Sequence, residues 1–269
     1  MEYREYALSL LTSESLCEKL APLPSNLTDE VPGPALFIET PGRPPELQMM
    51  HQDQVIEKVK LKFPKPTQMG SVARRAEALH FFANHELMAV ELLAWALLAF
   101  PDAPSEYRKG TLLVLKDEQR HFILYRDRMR ELGLKFGELP VNGYFWRHLL
   151  NVKNASEFLA LLSLTFESAN LDFALEYRDA FRRFGDAKSA DVMEVVYRDE
   201  LRHVQHGIQW MNFWKEESQT LWEAYTKALN FPISPKRAFG RSYNRDSRKK
   251  AGFDSEFIKN LEEVREDTL

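Results

Sequence analysis

The sequence predicts an all-α protein built on two antiparallel helical hairpins, a four-helix bundle with a long crossover between its second and third helices. Three observations carry this expectation. From about residue 71 apolar residues recur every three or four positions, and nothing there alternates as a strand should. The two hairpins are separated by residues 134–155, with Pro140 and Gly143, the long connection that a one-crossover bundle requires. The hexapeptide KDEQRH at 116–121 returns as RDELRH at 198–203, so the second helix of each hairpin carries one motif.

Residues 5–20 read as one short helix. Nine of the 14 prolines lie between Pro22 and Pro66, and PGRPPEL at 41–47 fits neither a helix interior nor a central strand. Leu36, Phe37 and Ile38 give this stretch something to bury, so an ordered arm is expected, to which QDQVIEKVKLKF (52–63) adds a short helix or strand. The bundle helices are expected at 72–100, 105–132, 156–184 and 187–217. PDAP and Phe184-Gly185 turn the hairpins, and a short helix fits 144–151. Residues 231–253 are proline-broken and basic, a surface arm followed by a short helix. The expected organisation is an N-terminal arm (1–70), a bundle (71–217) and a C-terminal arm (218–269).

The 269 residues and 44% hydrophobic content support a sizeable core, and a formal charge of −4 supplies no global field for nucleic acid or anionic membrane. Cys17 is the single cysteine, which excludes an intrachain disulfide and a thiolate metal cage. MEYREY lacks the pattern of a signal peptide, and LLAWALLAF at 92–100 is too short to span a bilayer. A cytoplasmic protein without a membrane partner is the expectation.

Each bundle helix has a core stripe. The stripes are Leu79, Phe82, Glu86, Ala89, Leu93, Ala96, Phe100; then Leu115, Glu118, Phe122, Tyr125, Met129; then Ser163, Glu167, Asn170, Ala174, Tyr177, Phe181; and Met193, Val196, Glu200, His203, Gly207, Trp210, Trp214. Every stripe contains a glutamate. Four buried carboxylates repel one another, and a polyvalent cation resolves the conflict. His121 follows Glu118 by three residues and His203 follows Glu200 by three, which puts each pair on one helix face. Glu86 and Glu118 are equidistant from the first turn, Glu167 and Glu200 from the second, so the four can meet at one level. One glutamate from each of two helices plus Glu-x-x-His from two others is the ligand set of ferritin-like di-iron and di-manganese proteins. The repeat then reflects an approximate twofold in the site. A buried salt-bridge network with Arg120 and Arg202 is the competing reading.

With these residues placed, the chain resembles the ferritin-like domain-of-unknown-function family 455. The stretches are LHFFANHELMAVELLAWALLAFPDAP, DEQRHFILYRDRMRELG, ESANLDFALEYRDAFRRFGD and VYRDELRHVQHGIQW, with PGRPPEL and KRAFGRSYNRDSRKKAGF flanking them. The resemblance implies a ferritin-like bundle with a dinuclear metal site and no settled activity. More distantly the chain resembles tRNA-modifying di-iron hydroxylases. Asn84 and His85 stand where the family more often has histidine and then an aliphatic residue, with Glu86 in place.

Other residues have ordinary readings beside functional ones. Glu91 and Asp172, each five residues past a stripe glutamate, read as ion pairs outside the metal shell, with ligand roles as the alternative. His80, His85 and His206 read as hydrogen-bonded or exposed histidines. Tyr125 and Tyr177 read as packing or pocket-lining residues. Asp117 and Asp199 are expected to orient the opposite histidines as a crossed pair, Asp117 to His203 and Asp199 to His121, while Arg120 and Arg202 neutralise carboxylates outside the first shell. The basic run Lys236, Arg237, Arg241, Arg245, Arg248, Lys249 and Lys250 reads as a solvated arm, with RNA contact as the lesser alternative.

Carboxylate-rich ligation suits hard, oxidisable metals: iron first, Mn/Fe or Mn next. The functional expectation is an oxygen-dependent oxidoreductase that hydroxylates or desaturates a small-molecule substrate, using dioxygen. No G-x-G-x-x-G fingerprint is present, so the electron donor is external. The alternatives are a tRNA-modifying hydroxylase and non-catalytic metal binding or ferroxidase activity. The long arms favour a monomer or dimer over a storage cage.

Overall fold

A computed structural model describes residues 1–49 and 62–267. Most of the 52–63 segment, read as a helix or strand, lies outside the described residues. Among the described residues the protein is all-α, with no strand and one isolated bridge between Glu2 and Thr28. By contacts the chain divides into two compact units, Met1–Leu150 and Asn151–Leu269. That division falls inside the 71–217 span, whereas the sequence boundaries followed changes of composition.

In the N-terminal unit, α1 (Tyr3–Thr12) and α2 (Leu16–Lys19) replace the single helix expected at 5–20. The break is the polar Ser13–Ser15 stretch, where Ser15 caps α2 by accepting from the Glu18 N–H at 3.3 Å and so competes with helix continuation. A 3-10 turn at Pro66–Gln68 leads to Ser71, which caps α3 (Val72–Ala99). α3 is packed nearly all round, because it is apolar nearly all round. Its antiparallel partner is α4 (Ser105–Glu131), and α1 and α5 (Tyr144–Leu149) also pack on it. The buried Arg108 of α4 donates to the carbonyls of Leu97 (2.9 Å) and Phe100 (3.1 Å), groups that the end of α3 leaves without helical partners. The same guanidinium pairs with Asp29 at 2.8 Å, which pins the proline-rich arm to the hairpin turn. In the described part of the arm the expected residues are only partly buried: Leu36 and Ile38 are half-buried, and Phe37, 55% exposed, meets the Trp95 ring edge-on at 5.7 Å, while the Leu36 N–H donates to the Leu98 carbonyl at 3.0 Å.

In the C-terminal unit, Asn154 caps α6 (Ala155–Leu161) by accepting from the Glu157 N–H at 2.9 Å. A π turn at Leu162–Glu167 carries the helix directly into α7 (Ser168–Arg183). Gly185, at φ +77, ends α7, and Asp186 caps the antiparallel α8 (Ala187–Trp214). The expected helix to 217 stops at Trp214. Beyond it α9 (Leu221–Ala228), α10 (Arg245–Ala251) and α11 (Ser255–Glu266) pack around α7 and α8 and among themselves, with Trp222, Tyr225 and Phe253 grouped on Phe257. The expected surface arm is therefore a folded part of this unit. Its prolines and charges conceal short helices capped by Asn244 and Asp254.

Both long first-position helices, Val72–Ala99 and Ala155–Arg183, are long and apolar enough to cross a membrane by length and composition. The expectation drawn from the nine-residue apolar run is corrected to that extent. Core helices pass the same test, and the apolar windows of these two are 89% and 83% buried.

Candidate metal centre

The two hairpins supply two sets of ligand types. In the N-terminal unit, Glu86 on α3 faces Glu118 and His121 on α4. These three offer ligand atoms within 4.8 Å of one another. The His121 Nδ1 lies 3.2 Å from Glu118 Oε2. In the C-terminal unit, Glu167 closes the π turn, and Glu200 and His203 sit one turn apart on α8. Glu167 and His203 offer atoms within 4.8 Å of each other, and the His203 Nδ1 lies 3.6 Å from Glu200 Oε2. None of the six is more than 3% exposed. A buried carboxylate is stable as an anion only beside compensating positive charge. Two carboxylates and an imidazole converging within one coordination radius are a donor set that fits a hard or borderline metal ion.

The family model described as "Protein of unknown function (DUF455)" matches residues 11–259. The chain belongs to that family. An uncharacterized protein of Haemophilus influenzae is 25% identical over 222 residues, covering 77% of this chain and 76% of the relative. No solved structure matches the chain. The match extends well beyond the two hairpins, so in this DUF455 chain the segments around the candidate site lie within the family match as much as the candidate ligands do.

Those segments account for two further buried acids, of which the first is Glu91. Arg43, from the N-terminal arm, grips it bidentately at 3.0 and 2.7 Å, Trp146 Nε1 donates at 3.1 Å, and Lys19 Nζ lies 3.4 Å away. Asp172 is held in the same way by Arg248 of α10, whose Nη2 donates at 2.8 Å and whose Nη1 makes a second, shorter contact. The Gly240 and Asn244 N–H groups complete its shell at 2.8 and 2.7 Å. Each acid is buried and bound by an arginine reaching in from outside its hairpin, so the ion-pair reading holds for both.

Arg248 is also where the solvated-arm reading fails, because it is fully buried. Arg245 and Lys249 pair with Glu262 and Asp246 at 3.6 Å, which uses further charge of the basic run. Asp117 pairs with Arg120 at 3.2 Å, and Asp199 contacts Arg202 more closely. The arginines thus neutralise the aspartates one turn before them. Asp199 is buried and Asp117 half-buried, so neither is a simple surface acid.

Burial lowers His80, His85 and His206 to about 4, with Glu138 opposing the shift at His80 and His203 adding to it at His206. His80 accepts from the Gly137 N–H at 3.1 Å and stacks on Phe136, and His85 stacks on Phe145. All three are neutral packing histidines. Tyr125 stacks on Phe82 with ring centroids 5.4 Å apart, and burial drives the Tyr177 hydroxyl upward. A groove of about 290 Å³ in the C-terminal unit is lined by Asn154, Trp214, Lys215 and Lys227 among others, and neither Tyr177 nor any of the six ligand candidates lines it.

Three features escaped the sequence reading. Asn170, expected only as a residue of the core stripe, donates to Glu200 Oε1 at 2.9 Å. The π turn has no local signature in the residues that form it. Gly207 lies where a Cβ would come within 2.4 Å of the Ser163 Cβ, and a glycine on a core stripe was the one available signal of that close approach.

Proposed function

We propose that this protein is a dinuclear carboxylate metalloprotein of ferritin-like architecture, in which residues 71–217 act as one metal-binding domain. Glu86, Glu118 and His121 would hold one ion, and Glu167, Glu200 and His203 would hold the other. The observation that carries the reading is the repetition of one arrangement, a buried glutamate facing Glu-x-x-His, once in each unit. Iron is the working metal we favour, and the class is an oxygen-dependent oxidoreductase that hydroxylates or desaturates a small molecule with an external electron donor. When bound, a pair of redox-active ions supplies electron transfer to dioxygen.

The chain's own contribution is to hold the donors. Nδ1 of each histidine is turned toward its own glutamate, so Nδ1 would be the ligating nitrogen and Nε2–H would be left for an orienting carboxylate. We assign that role to the crossed pair, Asp117 for His203 and Asp199 for His121. Burial of all six ligand residues excludes bulk water. We further propose a cytoplasmic monomer or dimer without a membrane partner. The RNA reading is the weaker one, because Arg248 of the basic run is buried in its pair with Asp172.

Metal analysis of protein purified without added metal tests the reading. About two ions per chain are expected, with His121→Ala and His203→Ala each losing about one. Fewer than one ion per chain in every preparation ends it. Asp117→Asn should weaken metal binding roughly 10–100-fold, and unchanged affinity would end the crossed pair alone.

A further inference from the structure

The groove of about 290 Å³ in the C-terminal unit lies between the start of α6, the end of α8 and α9, and none of the six candidate metal ligands lines it. Met211, Trp214, Ala224 and Ala228 give it an apolar lining. The Trp214 ring is itself packed on Trp210 and Phe213, with centroids 5.5 and 6.1 Å away, which fixes its plane. Four charged side chains also line the groove, and two of them cancel. Lys227 Nζ and Glu216 Oε1 pair at 2.8 Å, and both side chains are well exposed. Glu157 and Lys215 remain.

Glu157 is half-buried, and every side chain or backbone group that donates to it is neutral. Its Oε2 accepts from the Lys153 N–H at 2.9 Å and from Asn230 Nδ2 at 2.8 Å, and its Oε1 accepts from Asn154 Nδ2 at 3.0 Å. A carboxylate has about four lone-pair positions, so about one is left, and the negative charge is left with it. Lys215 is half-buried as well. Its Nζ donates to the Gln219 carbonyl at 2.8 Å, which uses one of the three N–H groups of an ammonium. Among the described residues neither head pairs with an opposite charge. Neutral partners thus hold one anion and one cation in place without cancelling either. Charge-assisted hydrogen bonds are about twice as strong as neutral ones, and heads already held in position lose little freedom on binding.

We infer that this groove binds a small zwitterion with an apolar side chain, the chemistry of a free α-amino acid. The ammonium of the ligand goes to Glu157, its carboxylate to Lys215, and its side chain against Trp214 and Met211. A simple anion would leave Glu157 unserved and be repelled by it, and a simple cation would do the same at Lys215. The volume lies at the bottom of the range for small-molecule sites, about 300–1,000 Å³, which suits an occupant of this size. The inference stands apart from the metal reading, since the groove uses none of those ligands.

Calorimetric titration of the full-length protein with L-leucine tests it, beside leucinamide, which lacks the carboxylate, and 4-methylpentanoate, which lacks the ammonium. L-leucine should bind, and each truncated compound should bind roughly 10–100-fold more weakly, the range for losing one hydrogen-bonded charge. Glu157→Gln should weaken L-leucine to a similar degree and leave 4-methylpentanoate no weaker than before. Lys215→Met should weaken L-leucine and leave leucinamide no weaker than before. Thermal melting controls for folding, and the three compounds on wild type decide the matter if a variant does not fold. No saturable binding of L-leucine at millimolar concentration overturns the inference. So does either truncated compound binding as tightly as L-leucine, or L-leucine binding unchanged in both variants.

Discussion

Seven residues after its motif glutamate, α4 carries Tyr125, and α8 carries Gly207. The N-terminal hairpin fills this level with two stacked aromatic rings; the C-terminal hairpin removes the side chain and lets a widened helix close the gap. Outside the hairpins the two units agree again, since each binds a buried acid five residues past its first glutamate with an arginine brought from a flanking segment. The chemistry is repeated where charge must be neutralised and diverges where volume must be filled. Charge compensation has few solutions, whereas a close-packed core has many.

The comparison is broken hardest at the clamps. Arg43→Ala and Arg248→Ala each leave a buried acid without its principal partner, which costs about 3–5 kcal/mol. Urea unfolding should find the two losses alike. If Arg43→Ala were nearly silent, Lys19 alone would suffice for Glu91 and the parallel between the units would be lost.

Packing comes next and should split the halves. Phe82→Ala opens a cavity beside Tyr125 at a cost of about 3–5 kcal/mol. Gly207→Ala does the opposite, forcing a methyl against Ser163 at a cost of about 1–3 kcal/mol. Denaturation midpoints check both, and a stabilising Gly207→Ala would show that the close approach is loose.

The smallest effect concerns acid. His80 stands six residues before Glu86, while Leu161 holds the corresponding place before Glu167. The folded value of His80, about 4, lies below its ordinary 6.5. Unfolding therefore takes up a proton, so stability is complete above about pH 6.5 and falls as pH drops toward 4, by at most about 1.4 kcal/mol per pH unit. His80→Gln should flatten the slope of unfolding midpoint against pH over that window, and an unchanged slope would assign the acid sensitivity to His85 or His206.

The helices and their buried faces were legible because periodicity is local. Every residue on the four stripes is buried except Asn170 and Trp214, which are half-buried. The pairing of Glu118 with His121 and of Glu200 with His203 was legible for the same reason, since three residues on a helix are one turn. The clamps were not, because Arg43 lies 48 residues from Glu91 and Arg248 lies 76 from Asp172. A basic run reads as solvated until something shows which cation turns inward. The π turn was hidden because its residues are as apolar as those of any core helix.

By itself the sequence determined the all-α class, the two hairpins and the carboxylates and imidazoles on their inner faces, because each follows from spacing along one or two helices. Only the tertiary structure decided which charges are consumed as clamps, where a helix widens, and which glutamate is held by an asparagine. Those depend on side chains brought together from distant segments, where burial makes one arrangement of partners and volumes far more stable than the rest.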